Sequence, residues 1–147
     1  MDFDEKTRAF LEQHHRAGMV TLRADGMPHV VRVGVALVEG KLWSSGTQRR
    51  ARTRHLRRDP RSTLFVFDQG YGYLAIESGV TILEGPEVPE LSIKLFHTMQ
   101  AGMPGIQTPG NLLWNGVELT PDQFRQAMVD EQRLIYQFEP LRMYGLH

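Results

Sequence analysis

The sequence predicts one α+β domain, mainly β, whose short antiparallel strands curl into a closed or nearly closed barrel. Three observations predict it. Runs of strand length, rich in β-branched and aromatic residues, recur through the first half and at the C-terminus. Turn signals at Asp25-Gly26, Glu39-Gly40 and Gly70–Gly72 separate several of them. Only a few segments carry a helical period. The 147 residues hold no internal repeat and no low-complexity linker, which suits a single domain over 1–147.

Asp4 to about His14 reads as a helix capped by Asp4, with Ala9 and Phe10 along one side. Gly18–Arg23 is a strand, and Asp25-Gly26 turns the chain back because both residues tolerate positive φ. Pro28–Val38 is β-branched but too long for one strand without a bend, and Gly34 is the expected bulge or close-approach point. Glu39-Gly40 leads into a strand at Lys41–Ser45, and Arg50–Arg58 looks helical, stopped by Pro60. Ser62–Asp68 and Tyr73–Leu83 are the next strands. Glu87–Gln100 is a helix with Leu91, Leu95 and Phe96 toward a core. Ala101–Gly116, rich in Gly, Pro and Asn, is expected to be a long loop without regular structure. Thr120 and Pro121 start a last helix, with Gln123 as capping-box partner, that runs to about Glu131. Two strands, Leu134–Phe138 and Arg142–Leu146, close the chain.

There is no cysteine, which excludes disulfides, thiolate–metal sites and a cysteine nucleophile. No apolar run approaches the roughly 20 residues that cross a bilayer. The N-terminus is charged and lacks a signal-peptide core, so the expected location is the cytoplasm and no membrane partner is expected. No metal site is expected: adjacent helical His14 and His15 point apart, and His97 has no carboxylate at ligand spacing. Zero net charge argues against a long polyanion as partner, so nucleic acid is not expected.

That charge is unevenly spread. Seven of the seventeen basic residues lie between Arg49 and Arg61, opposed only by Asp59, which suggests a local anionic ligand. A phosphate site needs donors, positive charge and an open helix N-terminus. Ser44, Ser45 and Thr47 supply hydroxyls just before the helix, Gly46 permits close approach, and Arg50 and Arg52 supply forked donors. Arg57, Arg58 and Arg61 read as surface charge or partners for Asp59, and Leu56 as the core anchor. The charge pattern alone fits a solvated basic face equally well, and His55 fits either the site or the packing.

The stretch TLRADGMPHVVRVGVALVEGKLWSSGTQRRARTRHLRRDPRSTLFV resembles the split β-barrel family of pyridoxamine 5'-phosphate oxidase-like flavoproteins, and more specifically its actinobacterial branch of deazaflavin (F420)-dependent reductases. The likeness runs from about Ala9 to the terminal MYGL. It rests on Asp25-Gly26-x-Pro28-His29, on Arg50-Ala51-Arg52-Thr53-Arg54 and on Leu56-Arg57-Arg58-Asp59-Pro60, in this order and spacing. The resemblance implies a split β-barrel homodimer of the flavin-mononucleotide (FMN)-binding type, with the site between subunits. It implies a cofactor phosphate at Arg50, Ala51 and Arg52, where Arg52 replaces the usual Lys and His55 replaces a common Asn. It implies a ring system along Pro28, His29, Val30, Val31 and Arg32, and aromatic residues from the second subunit near Tyr71 and Tyr73. Arg32, unusual there, faces either an acidic group or solvent.

The expected function is therefore an F420-dependent oxidoreductase passing hydride to an unsaturated small molecule, with an FMN-binding protein as the alternative. A non-enzymatic anion- or nucleic-acid-binding module is the second alternative. No catalytic side chain stands out.

Overall fold

The computed structural model describes residues 2–147. Its centre is a seven-stranded, wholly antiparallel sheet in the order β2-β1-β5-β6-β9-β4-β3. The strands are β1 (Arg16–Leu22), β2 (Pro28–Gly34), β3 (Ala36–Val38), β4 (Lys41–Thr47), β5 (Arg61–Phe67), β6 (Tyr73–Leu83) and β9 (Arg133–Leu146). A separate hairpin holds β7 (Leu112–Trp114) and β8 (Val117–Leu119), and four helices, α1 (Glu5–Gln13), α2 (Ala51–Arg58), α3 (Val88–Gln100) and α4 (Pro121–Asp130), complete the chain.

Strand alternation builds the core. On β1, Ala17, Met19 and Thr21 are buried, and on β5 Ser62, Leu64 and Val66 are buried, so the residues between them face outward. The sheet curls round Leu11, Met19, Leu42, Leu64, Leu74, Ile76, Tyr136 and Phe138. A second cluster, with Trp43, Val88, Leu95 and Ile135, packs α3 against the other side of β3, β4 and β9. A third seats α4 and the small hairpin on α3 through Ile93, Leu112, Phe124 and Met128.

Local signals were translated faithfully. The Asp4 carboxylate accepts from the Thr7 amide at 2.8 Å, and Thr120 and Gln123 form the reciprocal capping box. The bend expected in Pro28–Val38 separates β2 from β3 at Val35, whose amide donates to His15 O at 2.8 Å. Gly34 is indeed a close approach, because a Cβ there would meet Met99 Sδ at 2.9 Å.

Two expectations are corrected. Ala101–Gly116 is not wholly irregular: Asn115 and Gly116, at φ 52 and 79, form the turn of the β7–β8 hairpin. The two final strands are one 14-residue strand, β9. Pro140 interrupts its donors, and the ladder to β6 absorbs this by a bulge, Glu77 facing Arg142 while Ser78 faces Pro140. No helix among the described residues is long and apolar enough to cross a membrane.

Candidate functional site

The basic segment folds into the end of β4, a short turn and α2. An extended Arg50, not a Ser or Asp, occupies the N-cap of α2, and no side chain caps the helix. Its first amides are therefore open donors beside the positive end of the helix dipole. Below them lies a tightly packed anchor. Thr53 Oγ1 donates to Thr47 O at 2.7 Å and also bonds the Tyr136 hydroxyl, while Tyr136 fills the space that any side chain at Gly46 would need.

Arg52 rests on this anchor. Its guanidinium lies over the Tyr136 ring at 5.6 Å, and Nη2 donates to Ser45 O at 3.3 Å. Burial is the chief cause lowering its pKa, with Arg50 and Arg133 adding repulsion. Its Nε is buried without a partner, and so is Ser45 Oγ. A buried guanidinium with an orphaned nitrogen, in the first turn of an uncapped helix, is a donor set suited to a phosphate. Arg50 and Thr47 line the adjoining pocket. Ala51 is the first residue of α2 and contributes position, not chemistry.

Ser44 is not brought to this place. It is fully buried on the barrel side of β4, opposite Tyr136 in the ladder, and its hydroxyl is spent on Gly34 O at 2.7 Å. His55 packs inward, sharing a 2.9 Å hydrogen bond with Thr21 Oγ1 and meeting the His29 ring edge-on at 5.0 Å. Burial, then His29 and Arg58, lower its pKa. The outer arginines are committed elsewhere. Arg57 pairs with Glu84 at 3.1 Å, Arg61 with Asp59 at 2.8 Å, and Arg58 donates to Leu22 O.

On β2 the candidate ring residues alternate. Pro28, Val30 and Arg32 point outward, while His29 and Val31 turn toward the barrel. β2 is an edge strand, so its outer backbone groups are not used by the sheet. Tyr71 is 93% exposed in a turn, and Tyr73 stacks on Phe65 at 5.1 Å. Tyr73 belongs to the outward face of β5 and β6, and Tyr71 to the turn that joins them.

A residue that sequence reading missed is Arg133. It pairs with Thr47 across β4 and β9 and lines the same pocket as Arg50. Nothing local marks it, since more than 80 residues separate the two strands and only the sheet register joins them.

A family model described as pyridoxamine 5'-phosphate oxidase matches residues 3–126. The chain belongs to the pyridoxamine 5'-phosphate oxidase family. Solved structures agree on the fold. A conserved hypothetical protein from Mycobacterium tuberculosis superposes with a TM-score of 0.73 at 16% identity, covering 99% of this chain and 85% of that one. A protein described as an F420 reductase gives 0.69 at 21% identity, covering 97% and 98%. A heme storage protein from Vibrio cholerae gives 0.65 at 13% identity, covering 99% and 95%. At these identities the likeness carries the split-barrel fold and not the ligand.

Proposed function

We propose that this member of the family is an F420-dependent oxidoreductase acting on an unsaturated small molecule, as a homodimer with its site between subunits. The observation that carries the reading is the buried, partnerless Nε of Arg52 at the open start of α2. The cofactor phosphate is received there by Arg52, Arg50, Ser45, Thr47 and the amides of α2. A bound deazaflavin would supply hydride transfer; the chain's task is to hold and orient it and to exclude water. The edge of β2 at Pro28–Arg32 offers backbone groups to the ring. His29 Nδ1, buried and unpartnered, is a polar atom of that strand left free for a ligand.

The dimer reading rests on the outward face of the sheet. The register sets Arg32, Gly18, Phe65, Ala75 and Tyr144 in one row, and Phe67, Tyr73 and Leu146 in the next. Val30 is 63% exposed, Leu146 62%, and Phe65 and Tyr144 about half. Exposed apolar side chains gathered on one sheet face support an interface with a second copy there. A second copy seated on it would bring Tyr71 and Tyr73 toward its partner's site. A nucleic-acid module is the weaker reading, because Arg57, Arg58 and Arg61 are engaged within the fold and leave no broad basic face.

The test is an equilibrium titration of purified protein with F420 and with FMN, followed by ring fluorescence. Tighter binding of F420 supports the proposal. Equal or tighter binding of FMN replaces it with the flavin reading, and binding of neither removes both.

A further inference from the structure

The phosphate end holds one guanidinium that the reading above leaves idle. Arg133 stands at the start of β9, its side chain 13% exposed. It lines a pocket of about 350 Å³ with Thr47, Arg49, Arg50 and Glu131. Its Nε and Nη2 donate to Glu131 Oε1 at 3.0 and 2.7 Å. Its plane lies over the Trp114 ring at 4.9 Å, and the Trp114 indole donates to the second oxygen of Glu131 at 2.8 Å. Burial raises the pKa of Glu131, but Trp114 and Arg133 outweigh it and keep the carboxyl below its usual value. Asp130, also in the pocket wall, accepts from Gln126 at 2.8 Å.

Arg50 and Arg133 both repel Arg52. The pocket wall sets three guanidinium groups, Arg49, Arg50 and Arg133, against the two carboxylates of Asp130 and Glu131, so it is short of negative charge, and a fork that spends two donors on one oxygen keeps others for a second anion. A phosphate oxyanion has the geometry that a guanidinium accepts in place of a carboxylate.

We infer that Arg133 is the third arginine of the phosphate site, and that Glu131 is the carboxylate it holds until the anion enters. Anion entry draws Arg133 from Glu131 and from the face of Trp114. Trp114 ends β7, whose hairpin continues the 101–116 segment, so this segment registers the occupancy of the site. The inference rests on the phosphate reading of Arg50 and Arg52, but not on which ring the phosphate carries.

The experiment is a double-mutant cycle read by binding of inorganic phosphate, using calorimetry and tryptophan fluorescence. Arg133→Gln is expected to weaken phosphate binding roughly ten- to a hundredfold, the size of a lost charged hydrogen bond. Glu131→Gln is expected to strengthen it several-fold, and that gain is expected to vanish in the Arg133→Gln background. Arg133→Lys keeps the charge but not the fork, so it is expected to bind phosphate more weakly than wild type and serves if the glutamine variant does not fold. Phosphate should change the emission of wild type, with the change absent in Trp114→Phe, which still binds phosphate by calorimetry. A Glu131→Gln gain that persists undiminished without Arg133 would show that Glu131 acts by charge alone and overturns the exchange. Unchanged phosphate affinity in either Arg133 variant, or emission that ignores phosphate, overturns it as well. A preference for FMN over F420 with the cycle intact would sink the cofactor proposal and leave this one standing.

Discussion

Gly46→Ala tests the anchor beneath the site most sharply. A Cβ at this position would lie 2.6 Å from Tyr136 Cε2 and nearer still to the hydroxyl oxygen. Tyr136 is fully buried and cannot swing into solvent. Overpacking of this kind costs about 1–3 kcal/mol. Displacing the hydroxyl also breaks its bond to Thr53, worth about 1 kcal/mol. The variant should therefore lose about 2–4 kcal/mol, or roughly 4–16 °C in Tm at about 2–4 °C per kcal/mol. Tyr136→Phe alone should lose about 1 kcal/mol, because Thr53 keeps its bond to Thr47 O. Combining the two removes the atom nearest the new methyl, so the double variant should be more stable than the sum of the single losses by about 1 kcal/mol. Urea denaturation followed by circular dichroism measures all three. Losses that add to within about 0.5 kcal/mol would mean that the tyrosine hydroxyl does not occupy the glycine's space, and the packing argument would fail.

Other consequences are measurable. Burial lowers the His55 pKa below its ordinary value of 6.5, so the unfolded chain binds the extra proton first. Stability is then complete above about pH 6.5 and falls as pH drops below it. His29, Arg23, Arg54 and Arg58 all press in the same direction, and His55→Asn should flatten the stability profile below about pH 6.5. Asp59 is held at about 2 by its hydrogen bonds to Arg61, so any stability lost in Asp59→Asn should be seen at neutral pH and disappear as pH falls from the ordinary 3.8 through 2. On the proposed dimer, sedimentation equilibrium should find wild type dimeric and Phe65→Glu monomeric, with weaker cofactor binding in the variant; a variant that stays dimeric would move the proposed interface off this face, and a monomeric wild type would remove it.

What could be read in the sequence was local. The caps at Asp4 and Thr120, the Asp25-Gly26 turn and the uncapped basic helix are set by neighbours within four residues, and side-chain chemistry announces them. Asn115-Gly116 was equally local, but the surrounding Gly and Pro masked the two three-residue strands it joins. Register was not legible. It decides that the Ser44 hydroxyl is spent on Gly34 O while Arg52 takes the carbonyl of Ser45, and that Arg133 arrives opposite Thr47. A strand's period of two places alternate residues on opposite faces, so a run of adjacent hydroxyls cannot all serve one ligand. The same holds for β2, where His29 and Val31 part from Pro28, Val30 and Arg32.

The central claim is that a cofactor phosphate sits on Arg52. Its most direct test is the dissociation constant of F420 and of FMN for wild type, Arg52→Ala and Arg57→Ala, with Tm measured alongside. Loss of one charged hydrogen bond predicts roughly ten- to a hundredfold weaker binding of both in Arg52→Ala at nearly unchanged Tm. Arg57→Ala, which breaks exposed contacts with Glu84 and Gln48, should bind like wild type. Equal affinities in wild type and Arg52→Ala would contradict the account.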